Sequence, residues 1–143
     1  MANHDLSKLE ACTKAEAYCA RAEHCAADVR RKLYEWGVPD AWGDEIEANL
    51  YEADFLNDDR FCMAYVHDKV AYQSWGRRKI EAALRALQLP PSAICRALDA
   101  IDEETYRTNL RKLYRQRLAD PEEKRTRFLL QRGFTYDEIS SLA

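Results

Sequence analysis

Residues 129–142, LLQRGFTYDEISSL, decide the fold of this chain. A helix is predicted to end at Gly133, because glycine readily adopts the left-handed conformation that closes a helix C-terminus. Thr135 and Glu138 then have the spacing of a capping box, in which each side chain hydrogen-bonds the other residue's backbone N–H. The stretch therefore predicts a helix, a tight turn and a short second helix. The apolar positions of that second helix are Ile139 and Leu142.

The same order of features occurs twice more along the chain. Each copy has a leucine, a helix-ending position four residues later, one apolar residue and then a short helix. The copies are Leu33 to Gly37-Val38, Leu84 to Gln88-Leu89 and Leu129 to Gly133-Phe134, followed by Ile46/Leu50, Ile94/Leu98 and Ile139/Leu142. Their leucines are 51 and 45 residues apart. Units of about 45 residues are too small to be stable alone, so they are expected to bury their faces against one another.

Composition agrees with helices throughout. The 143 residues include only four Gly and four Pro, and strong helix formers dominate the remainder. No run alternates apolar and polar residues over the length of a strand. We therefore predict an all-α fold of three tandem three-helix repeats forming an elongated, curved stack. The predicted layout is a tail at 1–13 and repeats at 14–54, 55–101 and 102–143, and the first helix of the first repeat is predicted over 14–24.

The N-terminus has acidic residues and no apolar h-region, and no apolar run is long enough to cross a bilayer, so neither a signal peptide nor a membrane protein is expected. Five cysteines without CxxC spacing favour a reducing, cytoplasmic compartment. Cys19, His24 and Cys25 could ligate a metal, but structural zinc usually needs four ligands in paired spacings. We expect no metal and no cofactor.

Charge is distributed unevenly along the chain. Residues 1–60 contain 7 Lys and Arg against 14 Asp and Glu, whereas residues 61–143 contain 15 against 11. Residues 105–119 contain five basic residues and no acid. An acidic front and a basic back indicate a partner that is negatively charged or itself polarised in charge.

Two groups of basic residues are candidates for binding that partner. The first lies along the helix predicted to start at Asp102, where arginines spaced four residues apart share one face. The second opens the middle helix, where cations oppose the helix dipole and so indicate a use other than stability. The groups are Arg107, Arg111, Lys112 and Arg115, then Arg77, Arg78, Lys79 and Arg85. An ordinary solvated face explains the first group equally well, and it explains a third group better: Lys124, Arg125, Arg127 and Arg132, which have Glu122 and Glu123 as local partners.

Aromatic and catalytic candidates give fewer indications. Trp36 lies on an apolar stripe and is predicted to be core, whereas Trp75 precedes a turn and could either pack or stack on a partner. No nucleophile with a base, glycine-rich phosphate loop or HExxH occurs, so we expect a protein that is not an enzyme.

Four motifs, in order, resemble those of the RecX family. Arg21-Ala-Glu-His-Cys25 is similar to its Arg-Glu-His-Ser motif, and Phe55-Leu-Asn-Asp-Asp-Arg-Phe61 to its aromatic-Leu-x-Asp-(Asp/Glu)-x-Phe segment. Gly76 to Ile80 and Leu84 resembles its Gly-x-x-x-Ile-x-x-x-Leu helix, and Arg127–Ile139 its closing Arg-Gly-Phe-(Ser/Thr) repeat. The resemblance covers roughly residues 14–143. It implies tandem three-helix repeats and a monomeric regulator that binds the RecA–DNA filament, restrains strand exchange, ATP hydrolysis and coprotease activity, and in some members binds DNA directly.

The chain departs from the family pattern at three places. Cys25 stands where the family has a serine cap, Gln88 replaces a glycine at a helix end, and residues 40–44 form a small insertion. Two other hypotheses stay open beside the RecX-like regulator: a stand-alone helical nucleic-acid-binding protein, and a structural adaptor whose basic stripe is only solvated surface.

Overall fold

A computed structural model describes residues 6–142, and these residues form nine α-helices and no strand, which confirms the all-α prediction. A single-turn 3-10 helix, Asp40–Trp42, occupies the inserted segment before the third α-helix. The helices are α1 Lys8–Arg21, α2 Ala26–Glu35, α3 Gly43–Glu52, α4 Asp58–Gln73, α5 Arg77–Ala86, α6 Pro91–Asp99, α7 Glu103–Gln116, α8 Glu122–Gln131 and α9 Tyr136–Ser140.

Short polar signals set most of the helix starts. The side chains of Asn57, Asp102 and Thr135 each accept a backbone N–H from the first turn of the helix that follows, which confirms the helix start predicted at Asp102 and the capping box predicted at Thr135. The first helix begins six residues earlier than predicted, because Ser7 and Glu10 form a reciprocal capping box.

Two further helix ends differ from those that the sequence predicts. The order Asp120-Pro121-Glu122-Glu123 predicts an N-cap at Asp120, but this residue lies in the turn after α7, where its backbone N–H donates to the Arg117 carbonyl at 3.0 Å. The first helix ends at Arg21, short of the predicted residue 24, and an extended link at Ala22 separates it from α2.

One turn geometry recurs at the three positions where the repeat was predicted. The second residue after α2, α5 and α8 has a positive φ: 75° at Gly37, 64° at Gln88 and 103° at Gly133. The next residue then donates its N–H to the carbonyl of the repeat's leucine, at 2.9 Å for Val38, 3.2 Å for Leu89 and 3.2 Å for Phe134. This is the hydrogen bond that closes a helix against a left-handed residue. Gln88 adopts that conformation without being glycine, at a cost of about 1–2 kcal/mol.

The chain divides into two compact units, and the boundary between Phe61 and Cys62 falls inside α4. In the first unit, α1, α2 and α3 enclose one apolar core. Its buried members are Ala11, Ala15, Cys19, Val29, Leu33, Val38, Ile46, Leu50 and Leu56. Two arginines pair with acids around this core. Arg30 lies 2.6 Å from Asp44 and 2.9 Å from Glu47, while Arg60 lies 2.6 Å from Glu23 and 3.0 Å from Asp54.

The second unit contains a core between α7, α8 and α9, formed by Tyr106, Leu110, Leu129, Phe134 and Ile139. Its α8–α9 turn packs directly on the start of α5. The N–H of Gly76 donates to the Arg132 carbonyl at 2.7 Å, and the N–H of Arg78 donates to the Gly133 carbonyl at 3.1 Å. The N–H of Arg77, between them, donates to the Tyr106 hydroxyl at 2.9 Å. The first amides of α5 are thus satisfied by the last repeat rather than by a capping side chain.

Candidate functional site

Helix α7 carries the first predicted group. Asp102 caps its N-terminus through the backbone and hydroxyl of Thr105, and these hydrogen bonds lower the pKa of Asp102. Tyr106 and Leu110 are buried at 2% and 3% exposure and fix the orientation of the helix. The four predicted cations all lie on the exposed part of the helix: Arg107, Arg111, Lys112 and Arg115.

The four cations of α7 are not equivalent electrostatically. Arg107 lies 4.0 Å from Glu103, one turn earlier, so its charge is partly balanced. Arg111 reaches only the Thr108 hydroxyl, at 3.5 Å. Within the described part of the chain, Arg111, Lys112 and Arg115 have no carboxylate at ion-pairing distance. We call these three residues the α7 basic face.

The second predicted group does not form one surface. Arg77 is half-buried, pairs with Glu103 and lies 3.6 Å from Glu138, and its guanidinium stacks 4.2 Å above the Tyr106 ring. Arg85 pairs with Glu81 at 2.8 Å along the same helix. Arg78 remains exposed, and the Lys79 ammonium lies against the Trp75 ring. Arg77 therefore holds α5, α7 and α9 together, whereas Arg78 and Lys79 remain available for a partner.

The sequence did not identify a cluster around Trp75. The half-buried indole has two ammonium groups against it, with Lys69 at 4.6 Å and Lys79 at 4.4 Å from a ring centroid. The Arg132 guanidinium donates to the carbonyl of Gln73, the last residue of α4, just before the turn that contains Trp75. We call Lys69, Trp75, Lys79 and Arg132 the Trp75 cluster. No sequence signal joins these residues, because they come from α4, the α4–α5 turn, α5 and the residue after α8, and meet only through the turn packing described above.

The third group is divided between structural and exposed residues. Arg125 donates to the carbonyls of Asp120 and Arg117, at 3.0 and 3.5 Å, and lies over the Tyr114 ring. Lys124 and Arg127 are exposed on α8. They therefore provide a comparison surface of similar charge on a different helix of the same unit.

The described cysteines, histidines and carboxylates are further candidates for nucleophiles or metal ligands. Burial raises the pKa of the Cys19 thiol to about 11 and also raises the pKa of Cys25, so both thiols are protonated and poorly nucleophilic near neutral pH. Residues 6–142 contain no grouping of His, Cys, Asp and Glu that could hold a metal ion. In the same part of the chain no helix is both long and apolar enough to cross a membrane.

Known proteins resemble this chain in sequence over most of its length. The sequence model of the domain described as "RecX, second three-helix domain" matches residues 57–98. Two proteins named "Regulatory protein RecX" pass 30% identity: that of Leptothrix cholodnii is 32% identical over 88% of this chain and 82% of its own length, and that of Herbaspirillum seropedicae is 31% identical over 88% and 84%. The one from Herminiimonas arsenicoxydans is 27% identical over 95% of this chain and 93% of its own length.

Solved structures share the fold. A crystal structure of RecX from Lactobacillus salivarius superposes with a TM-score of 0.78 at 20% identity, covering 94% of this chain and 92% of the other. Another, titled "Crystal structure of regulatory protein RecX", gives a TM-score of 0.77 at 20% identity over 99% of this chain and 81% of the other.

Proposed function

The chain belongs to the RecX family of regulatory proteins, and from that premise we propose that it binds filaments of the RecA recombinase on DNA and inhibits their recombinase, ATPase and coprotease activities. The protein acts by binding and not by catalysis. As a monomer of the reducing cytoplasm it would keep its five cysteines as free thiols.

The observation that carries this proposal is the α7 basic face. A nucleoprotein filament presents phosphate oxygens and protein carboxylates, which are the groups that Arg binds most strongly through paired N–H donors. Among the described residues, no carboxylate pairs with the charges of the α7 basic face. By contrast, two carboxylates pair with each of three other arginines, namely Arg30, Arg60 and Arg77. Because the helix backbone is already fixed, binding an anionic partner orders only the side chains, at about 0.5–1.5 kcal/mol each.

The buried side of α7 supports the same role. Tyr106 packs against Phe134 with ring centroids 5.3 Å apart, and Asn109 donates to the Val70 carbonyl of α4 at 2.8 Å. These contacts fix the rotation of α7 in the second unit. The cations on its opposite side are therefore presented from a fixed position.

The test is RecA's single-stranded-DNA-dependent ATP hydrolysis, titrated with the full chain at two salt concentrations. We expect hydrolysis to fall at protein concentrations well below that of RecA, and the inhibition to weaken as salt rises. Arg111→Gln/Arg115→Gln should reduce inhibition strongly. The matched control, Lys124→Gln/Arg127→Gln, removes the same charge from the exposed side of α8 and should inhibit as the unaltered chain does.

Each other result has a definite meaning. If the unaltered chain leaves hydrolysis unchanged while folded and helical, the proposal is wrong. If both double variants inhibit equally well, the α7 basic face is ordinary solvated surface. If Arg111→Gln/Arg115→Gln loses affinity for DNA in the absence of RecA and hydrolysis never responds, the chain is a stand-alone nucleic-acid-binding protein.

A further inference from the structure

The Trp75 cluster gathers positive charge without acids to balance it. Lys69, Lys79 and Arg132 have no carboxylate within ion-pairing distance among the described residues, although acids are more numerous than bases in the whole chain. Both ammonium groups lie against the same indole, Lys69 at 4.6 Å and Lys79 at 4.4 Å from a ring centroid. Like charges repel one another, so an anion bound beside these ammonium groups would relieve the repulsion.

Fixed contacts hold the cluster in place. The backbone N–H of Trp75 donates to the Lys69 carbonyl at 3.1 Å, which ties the α4–α5 turn to the last turn of α4. The Lys69 ammonium also lies 5.2 Å from the Tyr65 ring centroid, so it contacts two aromatic rings. A Cβ placed on Gly133 would lie 2.6 Å from the Lys79 Cβ, which means that the α8–α9 turn sits directly against this lysine. The cations are therefore preorganised before any ligand arrives.

We propose that the Trp75 cluster is a phosphate-binding subsite that takes the phosphodiester backbone of single-stranded DNA. Lys69 and Lys79 contact the phosphate oxygens, the Arg132 guanidinium supplies further N–H donors, and Trp75 supplies the surface that keeps the ammonium groups in position. Cations grouped around an aromatic ring are a combination that proteins use to hold single strands. The inference deepens the proposed function, on which it rests for the nature of the partner, and adds a second contact region on different helices.

The test measures binding of the full chain to a labelled oligothymidine of roughly 20 nucleotides, without RecA, over a series of salt concentrations. Removing one phosphate-binding cation should reduce the slope of log K against log salt by about 0.7. Lys69→Gln/Lys79→Gln should therefore flatten the slope by about 1.4. Lys69→Arg/Lys79→Arg keeps both charges and should keep the slope.

The first unit supplies a matched control. Lys14 lies 4.6 Å from the Trp36 ring and Lys32 lies 5.7 Å from the Tyr18 ring, so they are also lysines held on aromatic faces, but in the acidic half of the chain. Lys14→Gln/Lys32→Gln should leave the slope unchanged. Equal slopes for this control, for Lys69→Gln/Lys79→Gln and for the unaltered chain would overturn the proposal.

A second measurement does not disturb the lysines. Oligothymidine should change the emission of Trp75, seen as the difference between the unaltered chain and Trp75→Phe. No such difference under saturating conditions would also overturn the proposal, as would polyglutamate competing as well as oligothymidine, since the cluster would then be a site for acidic protein. Because RecA is absent from both measurements, a negative result here leaves the ATP hydrolysis test intact, and the reverse also holds.

Discussion

Gly76→Ala should destabilise the protein considerably more than Gly37→Ala, although both replace a glycine in a turn beside a helix end. Gly76 has an ordinary negative φ of −81°, so alanine brings no backbone strain of its own. The added Cβ would instead overlap the carbonyl group of Gly133 and the backbone N of Phe134, neither of which can rotate away. The two turns must separate, and that movement breaks the hydrogen bonds from Gly76 to Arg132 and from Arg78 to Gly133.

The magnitude follows from these two effects. Overpacking at a tightly packed position costs about 1–3 kcal/mol, and each broken hydrogen bond adds about 1 kcal/mol. We expect the free energy of unfolding to fall by about 4 kcal/mol, a large fraction of the stability of an ordinary domain. Gly37→Ala is the comparison, since its added Cβ meets nothing within 4 Å and only the left-handed φ of 75° is penalised, at about 1–2 kcal/mol.

Urea unfolding of the full chain, followed by far-UV circular dichroism, measures both variants. In a Trp36→Phe/Trp42→Phe background the fluorescence of Trp75 reports the second unit separately. Amide hydrogen exchange at Gly76 and Arg78 should accelerate in Gly76→Ala, because their acceptors have moved. If Gly76→Ala costs no more than Gly37→Ala, the two turns do not pack as described, and the reasoning is refuted.

Three further outcomes are expected. Cys25→Ser should raise the free energy of unfolding by up to about 1 kcal/mol in urea titrations, because a hydroxyl oxygen accepts the Asp28 N–H more strongly than the thiol sulfur does; a fall in stability would contradict this. Because the folded pKa of Asp102 is lowered, its capping contribution is complete above the unfolded pKa of about 4 and disappears as the pH falls through the folded pKa. The melting temperature of Asp102→Asn should therefore fall less steeply below about pH 4 than that of the unaltered chain, to about the extent of this contribution. An identical fall in both proteins would oppose this expectation. A thiol reagent should modify exposed Cys95 rapidly and buried Cys19 only on unfolding, and equal rates for the two would be inconsistent with their burial.

Local signals were sufficient for much of the fold. Thr135 and Asp102 cap helices as their spacing predicts, and the leucine-to-turn pattern located three equivalent turns even where Gln88 stands in place of glycine. The start of α1 was missed because the capping box at Ser7 and Glu10 precedes the alanine-rich segment on which the predicted helix was based. Such errors concern helix ends and leave the repeat unchanged.

The candidate site was harder to predict, because the partners of a charge are set by the fold. Arg77 and Arg78 are neighbours in sequence, yet Arg77 faces two carboxylates and a tyrosine ring while Arg78 is exposed. Helical periodicity did predict that Arg111 and Arg115 are exposed, because this requires only that the opposite face of the same helix is buried. The Trp75 cluster depends on Arg132, far away in sequence, and no local pattern links the two.

The hydrogen bonds between the α8–α9 turn and the start of α5 limit how the chain can be shortened. In a simple linear array of repeats, the last unit can be removed and the remainder keeps its own contacts. Here the carbonyls of Arg132 and Gly133 and the hydroxyl of Tyr106 are the acceptors for the first amides of α5. A stop codon after α7 would therefore unsettle a helix in the middle of the chain, and a fragment meant to isolate the second repeat has to retain the third.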